Sequence, residues 1–241
     1  MNTEIEPIQA QSLKEACIER LEHMILSGEL AIGDRLPSER DFAARLNVSR
    51  PVLHQALVDL ETKGLVRIEP RKGVFISDYR RDGSLAILSS LLSYHDGQLS
   101  SDLSQSLIDM RLLVETEAAR LAAQNRTVAQ IAELRQLLDA ERLAAGEAPQ
   151  ALTDLDFSFH HTVAIASGNL VYPLILNSFK DVYTSLTGEF FRRNFDTDVI
   201  EEVQRYHRQV VDALEHRDQN AAGRAMAEML RHGEKYLKGG N

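Results

Sequence analysis

The sequence holds a single cysteine, Cys17, so no disulfide can close within the chain. A lone thiol fits a reducing compartment, and Cys17 falls in a helical apolar pattern, the place of a core side chain rather than a reactive one. No apolar run approaches the roughly 20 residues that a membrane span needs, so no membrane partner is expected. Residues 1–10 are polar and acidic, without the basic and apolar regions of a secretory signal. They are expected to form a disordered tail on a cytoplasmic protein. Basic residues are in deficit: 27 Lys and Arg face 36 Asp and Glu, for a net charge of −9. That excludes a chain that is basic all over, but not one with a local basic face. Also missing are a nucleophile elbow, a phosphate loop and a Gly-rich cofactor turn, so an enzyme is not expected. No internal repeat or low-complexity tract is present.

What is there divides in two. Between Arg35 and Gly73 the basic residues Arg35, Arg40, Arg45, Arg50, Lys63, Arg67, Arg71 and Lys72 outnumber the acids, while the remainder carries most of the negative excess. The asymmetry points to two jobs in two domains. Leu13, Cys17, Leu21, Met24 and Ile25 recur at helical spacing and stop at Gly28. After a polar turn, Ser38-Glu39-Arg40-Asp41 reads as a capping box opening a short helix through Phe42, Ala43 and Leu46. Asn47-Val48 makes a tight turn. Ser49 then caps a third helix, with Pro51 in its first turn and Leu53, Ala56, Leu57 and Leu60 on its inner face. Two extended runs, 65–68 and 74–76, flank the turn Pro70-Arg71-Lys72-Gly73. This is the order of a winged helix-turn-helix over residues 11–78. Residues 79–100 are expected to be a linker and connecting helix. From 101 to 237 only helical periodicity appears, with helices expected near 102–124, 127–145, 150–167, 170–193, 197–216 and 219–237. The fold class is therefore mainly α: a winged helix-turn-helix followed by an all-α bundle of six to seven helices.

In such a motif the second helix lies in the major groove and reads base edges with its first residues. Here these are Ser49, Arg50, Pro51 and His54. Arg50 can reach guanine bidentately or a phosphate, and Ser49 with the helix N-terminus can take a phosphate. Arg40 points toward the same duplex, and Arg71, Lys72 and Gly73 at the wing tip can enter the minor groove. The expected partner is double-stranded operator DNA.

Three stretches carry a resemblance: Gly33 to Arg40 (GDRLPSER), then Val48-Ser49-Arg50, then Ala56, Leu57, Leu60, Gly64, Leu65 and Val66. Over about 50 residues this closely resembles the GntR regulator family, in which the positions of Arg35, Arg40, Arg50 and the 71–73 tip contact DNA. Most members have arginine where this chain has His54, so a shifted operator preference is expected at the base pair nearest His54. A helical domain after the winged helix resembles the FadR branch, whose second domain binds a small effector and dimerises. Arg111 to Glu115 looks like that branch's Arg-x-x-x-Glu helix, and Asp156 to His160 followed by 166–169 like its central helix pair. The resemblance implies a homodimer on a palindromic operator.

Asp156 and His160, four apart, share one helix face, and His207 lies on a later helix that a bundle could bring close. Asp with two histidines suits a divalent metal such as zinc, nickel or manganese. Many members of the branch hold a metal with an Asp-x-x-x-His pair and two later histidines. The second of those later positions is Met229 here, and His232 lies one turn on. The histidines could equally be hydrogen-bonded core or pocket groups. His161 is expected at the surface or an interface. A second likeness, over 166–191, is to the fatty-acid-responsive members, which bind long-chain acyl-CoA without a metal. Asn169, Tyr172 and Tyr183 lie in that stretch, and with Arg111 and Tyr236 they become pocket candidates. Met229 would suit an acyl channel. The favoured effector is thus an acyl-CoA or fatty acid. A small carboxylic acid sensed through a metal is the alternative, and metal-dependent hydrolysis at Asp156, His160 and His207 a remote one.

Overall fold

The computed structural model describes residues 12–94, 100–145, 148–195 and 197–238, and the chain forms two compact units, 1–96 and 97–241. The expected tail at 1–10 lies outside the described residues. In the first unit, α1 (Leu13–Leu26), α2 (Glu39–Leu46) and α3 (Arg50–Thr62) precede an antiparallel hairpin of β1 (Val66–Glu69) and β2 (Gly73–Ile76). Arg35 bridges to Phe75 outside the named strands and extends the hairpin's edge. Apolar faces of the three helices close on Leu21, Phe42, Leu53, Leu57, Leu60 and Leu65. Ser49 caps α3 by accepting from the Val52 amide, and Asn47 ends α2 in the left-handed region at φ 53°. The capping box expected at Ser38 is only half formed. Ser38 Oγ accepts from the Asp41 amide, but the Asp41 carboxylate takes the Ser38 hydroxyl.

Residues 79–94, within the segment expected to be a linker and connecting helix, are structure of this unit. A short α4 (Tyr79–Asp82) and α5 (Ile87–Tyr94) follow β2, and Ile87 enters the winged domain's core. Lys63 Nζ reaches Glu22 Oε1 at 2.5 Å and Ser90 Oγ at 3.0 Å, while Ser90 donates to Glu22 at 2.8 Å. This buried triad ties α5 to α1 and α3. Gly64 makes the turn after α3 at φ +76°, where an added Cβ would lie 2.2 Å from the Asp82 carbonyl oxygen.

In the second unit the described residues form a seven-helix bundle: α6 (Ser101–Asn125), α7 (Val128–Ala144), α8 (Pro149–Ala166), α9 (Tyr172–Ser178), α10 (Lys180–Asn194), α11 (Val199–Glu215) and α12 (Gln219–Lys238). Alanines 119, 122 and 123 let neighbouring helices approach α6 closely, and the core continues through Phe159, Val163, Val210, Leu214 and Met226. The helix expected over 170–193 is two helices. Phe179, at φ −121° and ψ 24°, leaves helical geometry while its ring stays buried. Among the described residues no helix is long and apolar enough to cross a membrane.

Candidate DNA interface and ligand site

On α3 the buried positions Leu53, Ala56, Leu57 and Leu60 leave Arg50, Pro51 and His54 outward. Arg50 and His54 are one helical turn apart, so they share the exposed face. Both meet one carboxylate that the sequence did not single out. Glu39, the first residue of α2, accepts from Arg50 Nε at 3.5 Å and stands 3.1 Å from His54 Nδ1. Arg40 is 87% exposed and touches only its neighbour Asp41 among the contacts resolved, at 3.4 Å. Ser49 is exposed at the α3 N-terminus.

The wing brings its basic groups to one tip. Arg71 is left-handed at φ 65° and exposed, and Lys72 Nζ pairs with Glu69 at 3.0 Å. Arg67 holds the other side of Glu69 at 2.9 Å. Gly73, at φ +119°, lies under the Arg35 guanidinium, whose Nε would be 3.0 Å from an added Cβ. Arg35 and the wing thus form a single exposed basic ridge, with Glu69 as its internal counter-ion.

In the bundle, Asp156, His160 and His207 converge: one ligand atom from each lies within 4.8 Å of the others. All three are buried. His207 Nε2 is 3.6 Å and His160 Nε2 3.8 Å from Asp156 Oδ1. The opposite ring nitrogens are held by carboxylates. His207 Nδ1 lies 2.8 Å from Glu141 Oε1, and His160 Nδ1 contacts Glu115. A carboxylate behind each Nδ1 fixes the ring so that Nε2 faces the common point. Glu115 itself is gripped by Arg111 Nε at 2.6 Å, and Arg111 also donates to Tyr183, which donates to Asp156, each at 2.8 Å.

The electrostatics follow from this packing. Burial alone would raise Glu115, but Arg111 and His160 hold it down to about 2. Burial opposes a charged His207, yet Glu141 and Asp156 outweigh it and raise its pKa. Tyr183 is pushed well above the usual phenol value by burial and keeps its proton for Asp156. Glu115, Glu141 and Asp156 face one buried cation, Arg111. Three carboxylates, one arginine and two imidazoles are thus packed together away from water.

A cavity of about 50 Å³ opens on the cluster, lined among others by Arg111, Asp156, His160, Met229, Leu230 and Leu237. Met229 does reach the site, as a buried thioether. Other candidates do not. Asn169 turns its side chain onto the Val171 amide, and Tyr172 sits half-buried at the start of α9. His232 is engaged elsewhere, with Nε2 2.5 Å from Glu202 and its ring between Tyr206 and Tyr236. Tyr236 packs on the cluster of Leu152, Phe190 and Ile200. His161, expected at the surface or an interface, is half-buried, stacks on Phe157 and has its pKa lowered by burial. Glu115 was foreshadowed by the likeness of Arg111 to Glu115 to an Arg-x-x-x-Glu helix of the FadR branch. Glu141 carried no such signal, being 66 positions from His207.

Comparison with known proteins gives the same two-part division. The family described as bacterial regulatory proteins, gntR family, matches residues 13–76, and the FCD domain matches residues 106–232. The HTH-type transcriptional regulator Mce2R of Mycobacterium tuberculosis is 33% identical over 74% of this chain and 73% of its own length. The HTH-type transcriptional repressor NanR of Cronobacter sakazakii is 30% identical over 93% of this chain and 85% of its own. Among solved structures, a Streptococcus agalactiae GntR superposes with a TM-score of 0.50 at 25% identity, covering 91% of this chain and 98% of that one. A Listeria monocytogenes Lar structure reaches 0.65 at 16% identity over 97% and 100%, a likeness of fold alone. These families and relatives are transcription regulators and not enzymes.

Proposed function

The chain belongs to the gntR family of bacterial regulatory proteins and carries an FCD domain, and from that premise we propose a cytoplasmic homodimer that binds a palindromic operator and is controlled by a small carboxylic acid held at a divalent cation. The DNA half rests on the exposed Arg50 face of α3 and on the basic ridge of Arg35 and the wing. Two recognition helices must lie about one DNA turn apart to read a palindrome, so an effector that biases the dimer geometry changes affinity.

The observation that carries the effector half is the convergence of the buried Asp156, His160 and His207 on one point. A buried carboxylate is costly away from water unless it is paired, and a divalent cation at that point would pair with Asp156. Asp156, His160 and His207 would be its ligands, a set suited to zinc, nickel or manganese. His207 Nε2 is a buried nitrogen with no hydrogen-bond partner, which is what a metal ligand looks like without its metal. The bound cation supplies a Lewis-acid anchor for a carboxylate. Arg111, on the same cavity wall, supplies a second positive contact. The cavity of about 50 Å³ has room for a few water molecules. It favours a small acid over the acyl-CoA or fatty acid expected from the stretch around Asn169, whose side chain is turned elsewhere.

Native mass spectrometry with metal analysis tests this reading. One divalent cation per chain, lost in His207→Ala, is expected. A metal-free protein that binds acyl-CoA tightly and ignores small carboxylic acids would overturn it.

A further inference from the structure

The contact between His54 and Glu39 fixes more than a ring orientation. Glu39 Oε1 is 3.1 Å from His54 Nδ1. A carboxylate oxygen only accepts, so the shared proton belongs to Nδ1. A neutral imidazole carries one N–H, which leaves Nε2 as a bare acceptor. Glu39 is well placed to impose this. It sits in the first turn of α2, is mostly shielded from solvent with its side chain 23% exposed, and is held on its other oxygen by Arg50. The His54 side chain is 54% exposed and shares the outward face of α3 with Arg50.

We propose that His54, locked by Glu39 with its proton on Nδ1, reads the operator as a hydrogen-bond acceptor and selects a base that turns an exocyclic amino group to the major groove. In the major groove only adenine N6 and cytosine N4 offer such a donor, whereas guanine and thymine turn acceptors to that edge. An arginine at this position would do the reverse, since it only donates and pairs with guanine. The substitution of histidine for arginine thus inverts the chemistry read at one base pair, while Arg50 beside it keeps the chemistry of a donor. Glu39 is a positioning residue here. It touches no base and acts through the tautomer of His54.

The inference rests on the regulator reading above, and the experiment separates the two. Selection from a random duplex library with the full-length protein, followed by affinities for single-base variants of the selected site, gives the base preference. Adenine or cytosine at the His54 position is expected, favoured about fivefold over guanine, the worth of one hydrogen bond. His54→Arg should move the preference to guanine. Glu39→Gln can either donate to or accept from the ring, so it should flatten the preference at that position and leave the rest of the site unchanged. Nitrogen-15 chemical shifts of the His54 ring in the free protein should show Nε2 unprotonated. A selected site with guanine or thymine there, or one indifferent to His54→Arg, overturns the inference but not the regulator. A proton found on Nε2 also overturns it. Failure to enrich any sequence would remove the regulator reading and the inference with it.

Discussion

Glu141 stands 2.8 Å behind the Nδ1 of His207, so the opposite nitrogen of that ring faces Asp156. Glu141→Gln keeps the shape but exchanges a carboxylate for a weaker amide acceptor. Metal affinity is expected to fall about 10- to 100-fold, the usual effect of losing such a support. Competition with a chelator measures it, and an unchanged affinity would show that Glu141 does not tune the ligand.

Met229 reaches the same cavity as Asp156 and His160 but offers only a thioether, a poor ligand for zinc or nickel. Met229→His would place a further imidazole on that cavity wall. The variant should bind the cation more tightly than the parent. Because a ligand that binds only the folded state stabilises it by mass action, added metal should raise the melting temperature of the variant more than that of the parent. Equal shifts would mean that position 229 does not reach the ion.

Arg50 makes one long contact at 3.5 Å and is 72% exposed, so the fold does not depend on it. Arg50→Ala should unfold at the parent temperature yet lose about tenfold or more in affinity for the selected operator, as expected for a bidentate contact to a base. Binding to unrelated duplex should fall much less. An equal loss on both duplexes would place Arg50 on a phosphate instead.

The first unit was readable because its signals are local. Ser49 caps within three residues, Asn47 takes the left-handed turn itself, and the hairpin pairs residues at most ten apart. The convergence of Asp156, His160 and His207 was legible in part, because the first two share a helix face. Glu141 was not, since its role exists only once α7 and α11 pack together. The break at Phe179 was hidden for a related reason. It has no glycine or proline, and the chain leaves the helix there with the ring buried in the core. Asn169 and Tyr172 were placed in a pocket by likeness of sequence, whereas the Asn169 amide serves a turn. Residues 79–83 looked like a linker because they are polar, and the helix after them was expected only to connect the two domains. The residues that dock the segment, Ile87 and Ser90, come later, and their partners lie far back in α1 and α3.

Gly64 satisfies two demands that no other residue meets. Its φ of +76° is unfavourable for an L side chain, and the Asp82 carbonyl fills the space a Cβ would need. Gly64→Ala should cost about 2 kcal/mol, from backbone strain and a forced shift of α4. Denaturant titration followed in the winged unit checks this, and a loss near zero would mean that α4 moves away freely.

Lys63 and Glu22 pose a sharper question, because a buried ion pair is weak evidence of net stability. Glu22 is 6% exposed and Lys63 is its only cation among the contacts resolved, with Ser90 as the second partner. Lys63→Met leaves the carboxylate buried with a single hydroxyl donor. It should destabilise the winged unit by about 3 kcal/mol, chiefly the cost of the stranded charge. Lys63→Met combined with Glu22→Leu removes that charge and should recover most of the loss. The double variant should nevertheless hold α5 less firmly, since Ser90 then has neither partner. Amide exchange in residues 87–94 should therefore quicken in the double variant even as the melting temperature returns. If exchange there matches the parent, Ile87 alone docks the helix, and the triad serves the core and not the attachment of α5.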